Sequence, residues 1–178
     1  SRRNQTSAAE LGSRGMAAAL AKPAIVRPRS GLYNRPMSDI DAATNLTNHF
    51  LMAMPGMADT NFGGAVVFLA EHSAKGALGL VINRPMELDL KSLFERIDLT
   101  LEIAPLSTSA VFYGGPVQTD RGFVLHQPLG AWSSTVTVHD SLGLTSSKDV
   151  LEAVAQGTGP ERLLVTLGYA GWGPGPLE

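Results

Sequence analysis

The chain has 178 residues, 44% of them apolar, with a formal net charge of −2 and no cysteine. That length fits one domain, and the missing thiols exclude a disulfide framework, thiolate zinc sites, iron–sulfur ligation and a cysteine nucleophile. An apolar stretch such as Gly63–Ala70 is far shorter than the roughly 20 residues a membrane helix needs, so no membrane partner is expected.

The small net charge hides a division. Residues 1–37 carry seven basic side chains and only one acid, Glu10, for +6, whereas residues 38–178 carry seven bases and fifteen acids, for −8. The first segment lacks a sustained apolar period and is interrupted by Pro23, Pro28 and Pro36. It buries too little to offset the entropy of ordering it and is expected to be disordered or irregular. Three readings of it are open: an Arg-rich targeting peptide, a nucleic-acid arm, or an appended leader before an initiator at Met37. The domain proper is expected over residues 38–178.

Folded structure is expected from about Leu46. Phe50–Met54, stopped by Pro55, reads as a strand. Ala65–Ala70 and Leu78–Ile82 are apolar runs of strand length joined by Ser73–Gly76, which suggests an antiparallel hairpin buried on both faces. Asn83-Arg84-Pro85 ends it. Leu90, Leu93, Phe94 and Ile97 then stand at helical spacing behind a plausible N-cap, Asp89.

Ala110–Tyr113 reads as a short strand broken by Gly114-Gly115-Pro116, Gly122–His126 as another, and Thr135–His139 alternates with period two. Ser146–Asp149 has the form of a capping box, opening a helix whose Val150, Leu151 and Val154 point inward, with Gly157 just past its end. Leu163–Leu167 is a last strand before the glycine-rich stretch Gly168–Gly175. The order βββ-α-β-β-β-α-β predicts an α/β (α+β) fold: a single compact domain with a mixed sheet, antiparallel hairpins and packed helices.

The strong catalytic spellings are missing, including a P-loop, a zincin helix and a nucleophile elbow. Gly171–Gly175 resembles a phosphate-cradling loop in composition but lacks its lysine. His49, His72, His126 and His139 have no spacing that places metal ligands together on a helix, so no metal or cofactor is expected. Glu71-His72 and His139-Asp140 are neighbours, but adjacent strand residues point to opposite faces and make poor acid–base pairs. The four histidines are expected at the surface or at strand ends. Ser146 and Ser147 read as helix-capping residues and Asp149 as a carboxylate favoured by the helix dipole.

Polar residues at strand ends often line ligand crevices. Asn83, Arg84 and Arg121, with His126 and Lys148, are therefore the candidate binding residues. Direct nucleic-acid binding by residues 38–178 is not expected, because duplex binding takes on the order of 6–10 phosphate contacts and the seven bases there are scattered from Lys75 to Arg162.

In order, the blocks Leu46–Pro55, Glu71-His72-Ser73 with Gly76–Pro85, Tyr113–Val117 with Asp120–His126, Thr145–Leu151 and Leu167–Trp172 resemble those of the bacterial AlgH/YqgE family. The resemblance covers about residues 45–178 and implies a compact α/β fold and a cytoplasmic location. It supplies no reaction, substrate or catalytic residue. Many relatives carry a transcriptional-regulator label. The basic leader lies outside the family pattern, and the resemblance implies further residues after Glu178.

Three functions follow as expectations. The first is a regulatory protein that binds a small ligand or a protein partner without catalysis. The others are a direct DNA-binding transcription factor and a hydrolase using His126 or His72.

Overall fold

The structure, a computed structural model, describes residues 24–26, 45–175 and 177. The basic segment expected at 1–37 therefore lies outside the described residues except for Ala24–Val26. Those three form a strand, β1, paired antiparallel with β2 (Phe50–Met52).

The hairpin forms where the apolar runs predict it. β3 (Val66–Ser73) and β4 (Gly76–Val81) pair from Val67↔Val81 to Ser73↔Gly76, so the turn is shorter than the four residues expected and only Ala74 and Lys75 lie between the strands. Side chains alternate across β3: Val67 and Leu69 enter one buried cluster, Phe68 and Ala70 another. Both faces of the strand are thus covered, which is why it reads as an unbroken apolar run rather than an alternating one.

After β4 the chain re-enters the sheet as β5 (Pro85–Asp89), which pairs with β6 (Ala110–Tyr113). β5 was not expected, because the proline and the charges within Pro85-Met86-Glu87-Leu88-Asp89 conceal a mostly exposed edge strand. Between these strands lie α1 (Leu90–Arg96) and the short α2 (Ala104–Ser107). Asp89 caps α1 as predicted, its carboxylate accepting from Ser92 N at 2.8 Å, which holds its pKa below the usual aspartate value. Leu90, Leu93 and Phe94 are buried on one face, each removal from water stabilising by roughly 1.5–3 kcal/mol.

β7 (Val117–Gln127), β8 (Thr135–His139), β9 (Leu142–Thr145), α3 (Lys148–Ala155) and β10 (Arg162–Trp172) complete the fold. β9 was not expected; its four residues include a glycine and carry too little pattern. β10 runs well past Leu167, into the glycine-rich stretch expected to follow the strand, and is the hub of the ten-stranded sheet. It pairs antiparallel with β7 along Arg162–Leu167, parallel with β6 at Thr166 and Leu167, and antiparallel with β4 at Ala170–Trp172. The other pairings are antiparallel, so the sheet is mixed as expected.

Gly114-Gly115-Pro116 sits where two chain segments cross. Gly168 has φ +76°, and a Cβ there would lie 2.3 Å from Gly115 O, while one on Gly114 would lie 2.2 Å from Gly168 O. Only glycine fits such an approach. The crossing forces an excursion in β7: Val117 pairs with Tyr169 and Gly122 with Leu167, so Gln118–Arg121 stand against Gly168 alone. A bulge of this kind aims exposed side chains off the sheet, and Arg121 is one of them.

Candidate functional site

The five candidate residues fall into two groups. Asn83 and Arg84 belong to a loop clamp. Asn83 Oδ1 accepts from Val66 N and its Nδ2 donates to Gly64 O, both at 2.9 Å. The Arg84 guanidinium donates to Thr60 O at 3.0 Å and to Gly63 O at 2.7 Å. Asp59 closes the same loop by accepting from Asn61 N and Phe62 N, and Tyr113 OH donates to Asn61 Oδ1 at 3.3 Å. Burial pushes the Tyr113 phenol up, with the Arg84 charge pulling the other way. The hydrogen bonds of Asn83 and Arg84 are thus made to the protein's own backbone, and they buckle the loop onto the sheet.

The other three lie on β7 and at the start of α3. The Arg121 guanidinium lies 5.7 Å from the Phe123 ring centroid and donates to Ser146 Oγ at 3.0 Å, which brings it beside the start of α3 and Lys148. Lys148 itself is exposed and approaches Glu152 at 4.0 Å, a solvated pair of small energetic weight.

His126 stands at the end of β7, as expected, but is 1% exposed and not a surface residue. Its Nδ1 lies 3.0 Å from Pro128 O and its Nε2 2.7 Å from Thr145 Oγ1. Thr145 Oγ1 lies 2.7 Å from Thr135 Oγ1, which donates to Trp132 O at 3.0 Å. The Trp132 ring meets the imidazole edge-on, with centroids 4.8 Å apart. His72 is also buried, and its Nδ1 accepts from Leu46 N at 3.1 Å.

Two further sequence readings are corrected. His139 Nε2 and Asp140 Oδ2 do meet, at 3.1 Å. Asp140 has left the strand with φ +41°, so the rule of opposite faces no longer applies to it; the pair is exposed. The capping box does not form. Ser147, not Ser146, is the N-cap and makes no side-chain cap bond; its hydroxyl donates to Asp149 instead. Asp149 also accepts from Ser133 N, Ser133 Oγ and Val150 N. The Ser147 hydroxyl first, and then the Ser133 amide, hold its carboxyl down at about 2. Asp149 thus clasps α3 to the β7–β8 connection, in addition to its favourable place near the helix dipole.

A further cavity lies elsewhere. A groove of about 380 Å³ crosses the ends of β3, β4 and β10. Glu71, Ser73 and Lys75 supply its polar wall and Leu78, Tyr169 and Trp172 its apolar one. Trp172 is buried, and its indole Nε1 has no hydrogen-bond partner among the described residues. None of the five candidate residues lines this groove. Glu71 and Lys75 stand apart in sequence and carry no signal there; only the hairpin brings them near Tyr169. Among the described residues no group of three or more His, Asp or Glu could hold a metal ion. No described helix is long and apolar enough to cross a membrane.

Residues 50–178 match the family profile described as AlgH-like. A UPF0301 protein of Ralstonia nicotianae is 63% identical over 142 residues, spanning 80% of this chain and 75% of its own. One of Burkholderia mallei is 62% identical over 144 residues with the same coverage. The solution structure of the AlgH protein from Pseudomonas aeruginosa is similar with a TM-score of 0.64 at 49% identity, over 74% of this chain and 70% of that one. A crystal structure from Corynebacterium diphtheriae has a TM-score of 0.52 at 17% identity, over 71% of this chain and 66% of that one, a likeness in fold alone.

Proposed function

Because the chain belongs to the AlgH-like family, whose members' names state no activity, we propose from its geometry that it works by binding rather than by catalysis. It is a cytoplasmic regulatory protein that takes a small ligand in the groove beside Tyr169. The observation that carries this reading is the groove itself: its volume is in the range of small-ligand sites, with an apolar lining and a few polar groups. Glu71 and Lys75 offer opposite charges at its wall. The ligand class that fits is a small zwitterion with an apolar body, such as a hydrophobic amino acid or dipeptide. Arg121 and Lys148, exposed near the start of α3, form a second polar surface for a protein partner.

The hydrolase alternative needs a free base at His126 or His72. Both nitrogens of His126 and the Nδ1 of His72 are engaged inside the protein, which favours binding over chemistry.

Amide chemical-shift mapping with phenylalanine, leucine and their dipeptide tests the reading. Shifts are expected at Glu71–Leu78 and Tyr169–Gly173, reduced in Glu71→Gln and Lys75→Gln. No saturable shift with any of the three probes, or shifts confined to other regions, would remove the groove as the site.

A further inference from the structure

We propose that His126, Thr145, Thr135 and Trp132 form a proton-operated latch that closes the β7–β8 connection when the imidazole is charged. The inference is independent of the groove and rests on counting protons along one hydrogen-bonded chain. Pro128 O can only accept, so the facing Nδ1 of His126 carries a proton in either charge state. The Nε2 end is where the two states differ.

With the ring charged, Nε2–H donates to Thr145 Oγ1. The Thr145 hydroxyl then donates to Thr135 Oγ1, and the Thr135 hydroxyl to Trp132 O. Every contact in the chain holds one proton. With the ring neutral, Nε2 has only a lone pair to offer, so the Thr145 hydroxyl must turn and donate to it. Thr135 then donates to Thr145, and Trp132 O loses its partner. Gaining one proton at Nε2 therefore reverses two hydroxyls and adds one bond, the one that ties Trp132 to Thr135 across the turn.

That turn is the seat of α3. Ser133 N and Oγ donate to Asp149, and Ser134 N donates to Ser147 Oγ at 3.2 Å. A change at His126 thus reaches the surface through four consecutive residues, 132–135. Burial makes the arrangement consequential: His126 and Thr145 are shut away from water, which could otherwise fill an unmade bond.

Glu161 and Arg162 line a cavity with Gln127 and Pro128. β9 and residues 128–134 contain no Asp, Glu, Lys, Arg or His. On β10, Leu163 is the residue opposite His126, and Arg162 stands opposite Gln127. β8 ends at His139, which is exposed and paired with Asp140 just beyond it. On β7, Arg121 is held on Ser146 and Phe123. Asp149, bonded to Ser133, stays ionised across the range in which imidazoles titrate.

The test is long-range proton–nitrogen NMR of the imidazoles in the whole 178-residue chain, with amide exchange at Trp132–Thr135, from about pH 5 to pH 8. The expected result is that His126 Nε2 changes from acceptor to donor on acidification while Nδ1 stays protonated. The Ser133 and Ser134 amides move with the same midpoint and gain several-fold protection on the acid side. Thr135→Val abolishes this response and Thr135→Ser keeps it. The latch is refuted if His126 keeps one protonation state throughout, if its titration leaves the Ser133 and Ser134 amides unmoved, or if Thr135→Val responds as the parent does. Should Thr135→Val not fold, the first two measurements on the parent still decide.

Discussion

Gly143 stands directly across the β7–β9 ladder from His126, and a Cβ at Gly143 would lie 2.9 Å from the imidazole Cε1. The missing side chain is what gives a buried ring its place between Pro128 O and Thr145 Oγ1. Leu129 Cδ2 lies at the same 2.9 Å from that position and closes the other way out.

Gly143→Ala should therefore destabilise the protein by about 1–3 kcal/mol, the usual cost of overpacking a full core. Urea denaturation measures it. A variant as stable as the parent would show that the ring has room to move and that its position is not fixed by packing.

Asp149 makes part of the stability depend on acid. Its folded pKa of about 2 lies below the ordinary value of 3.8, so its contribution is fully present above that ordinary value and fades as pH falls toward about 2. Thermal melts of the parent and of Asp149→Asn should differ near neutral pH and converge on acidification. A gap that stays constant down to about pH 2 would mean that the carboxylate charge is not what the clasp uses.

Arg84→Ala removes two donors from Thr60 O and Gly63 O. The side chain is half-buried, so a loss of about 1–2 kcal/mol is expected, at the lower end for charged hydrogen bonds. Limited proteolysis should cut first within Gly56–Ala65. Arg84→Lys should rescue little, since one ammonium does not reproduce a fork set on two carbonyls. Full rescue by lysine would point to charge rather than geometry.

Gly168→Ala combines a positive φ with a contact 2.3 Å from Gly115 O, and nothing soft is there to yield. A loss of at least ~3 kcal/mol, read as poor soluble yield and lost near-ultraviolet circular dichroism, is expected. Gly122→Ala, which meets nothing within 4 Å, is the control and should fold normally.

Local pattern made much of the fold legible. Leu90, Leu93 and Phe94 announced α1, the Asp89 cap formed as read, and Thr135–His139 is a strand with the predicted bounds. β5 and β9 were hidden because a short strand borrows its stability from neighbours that are distant in sequence. The burial of His72 and His126 is hidden in the sequence for a related reason. A residue's burial depends on what is folded over it, and the rings above Gly143 and beside Leu46 are covered by segments far from them along the chain.

The candidate residues divide in the same way. Arg121 meets Ser146 just before α3 and Lys148, because β7 and β9 pair and α3 follows directly, while His126 is buried against Pro128 and Thr145. Asn83 and Arg84 face a different loop altogether.

By itself the sequence determined which segments could hide their side chains, where the first helix is capped, that thiolate chemistry has no cysteine to use, and which family it resembles. Tertiary structure alone decided what the polar groups do. Whether Arg84 meets a carbonyl or a ligand, which acceptor takes a proton from His126, and whether Glu71 and Lys75 share a groove are all matters of distance. Hydrogen bonds and charges act over a few ångströms, and those ångströms are set by residues that the chain brings together from far apart.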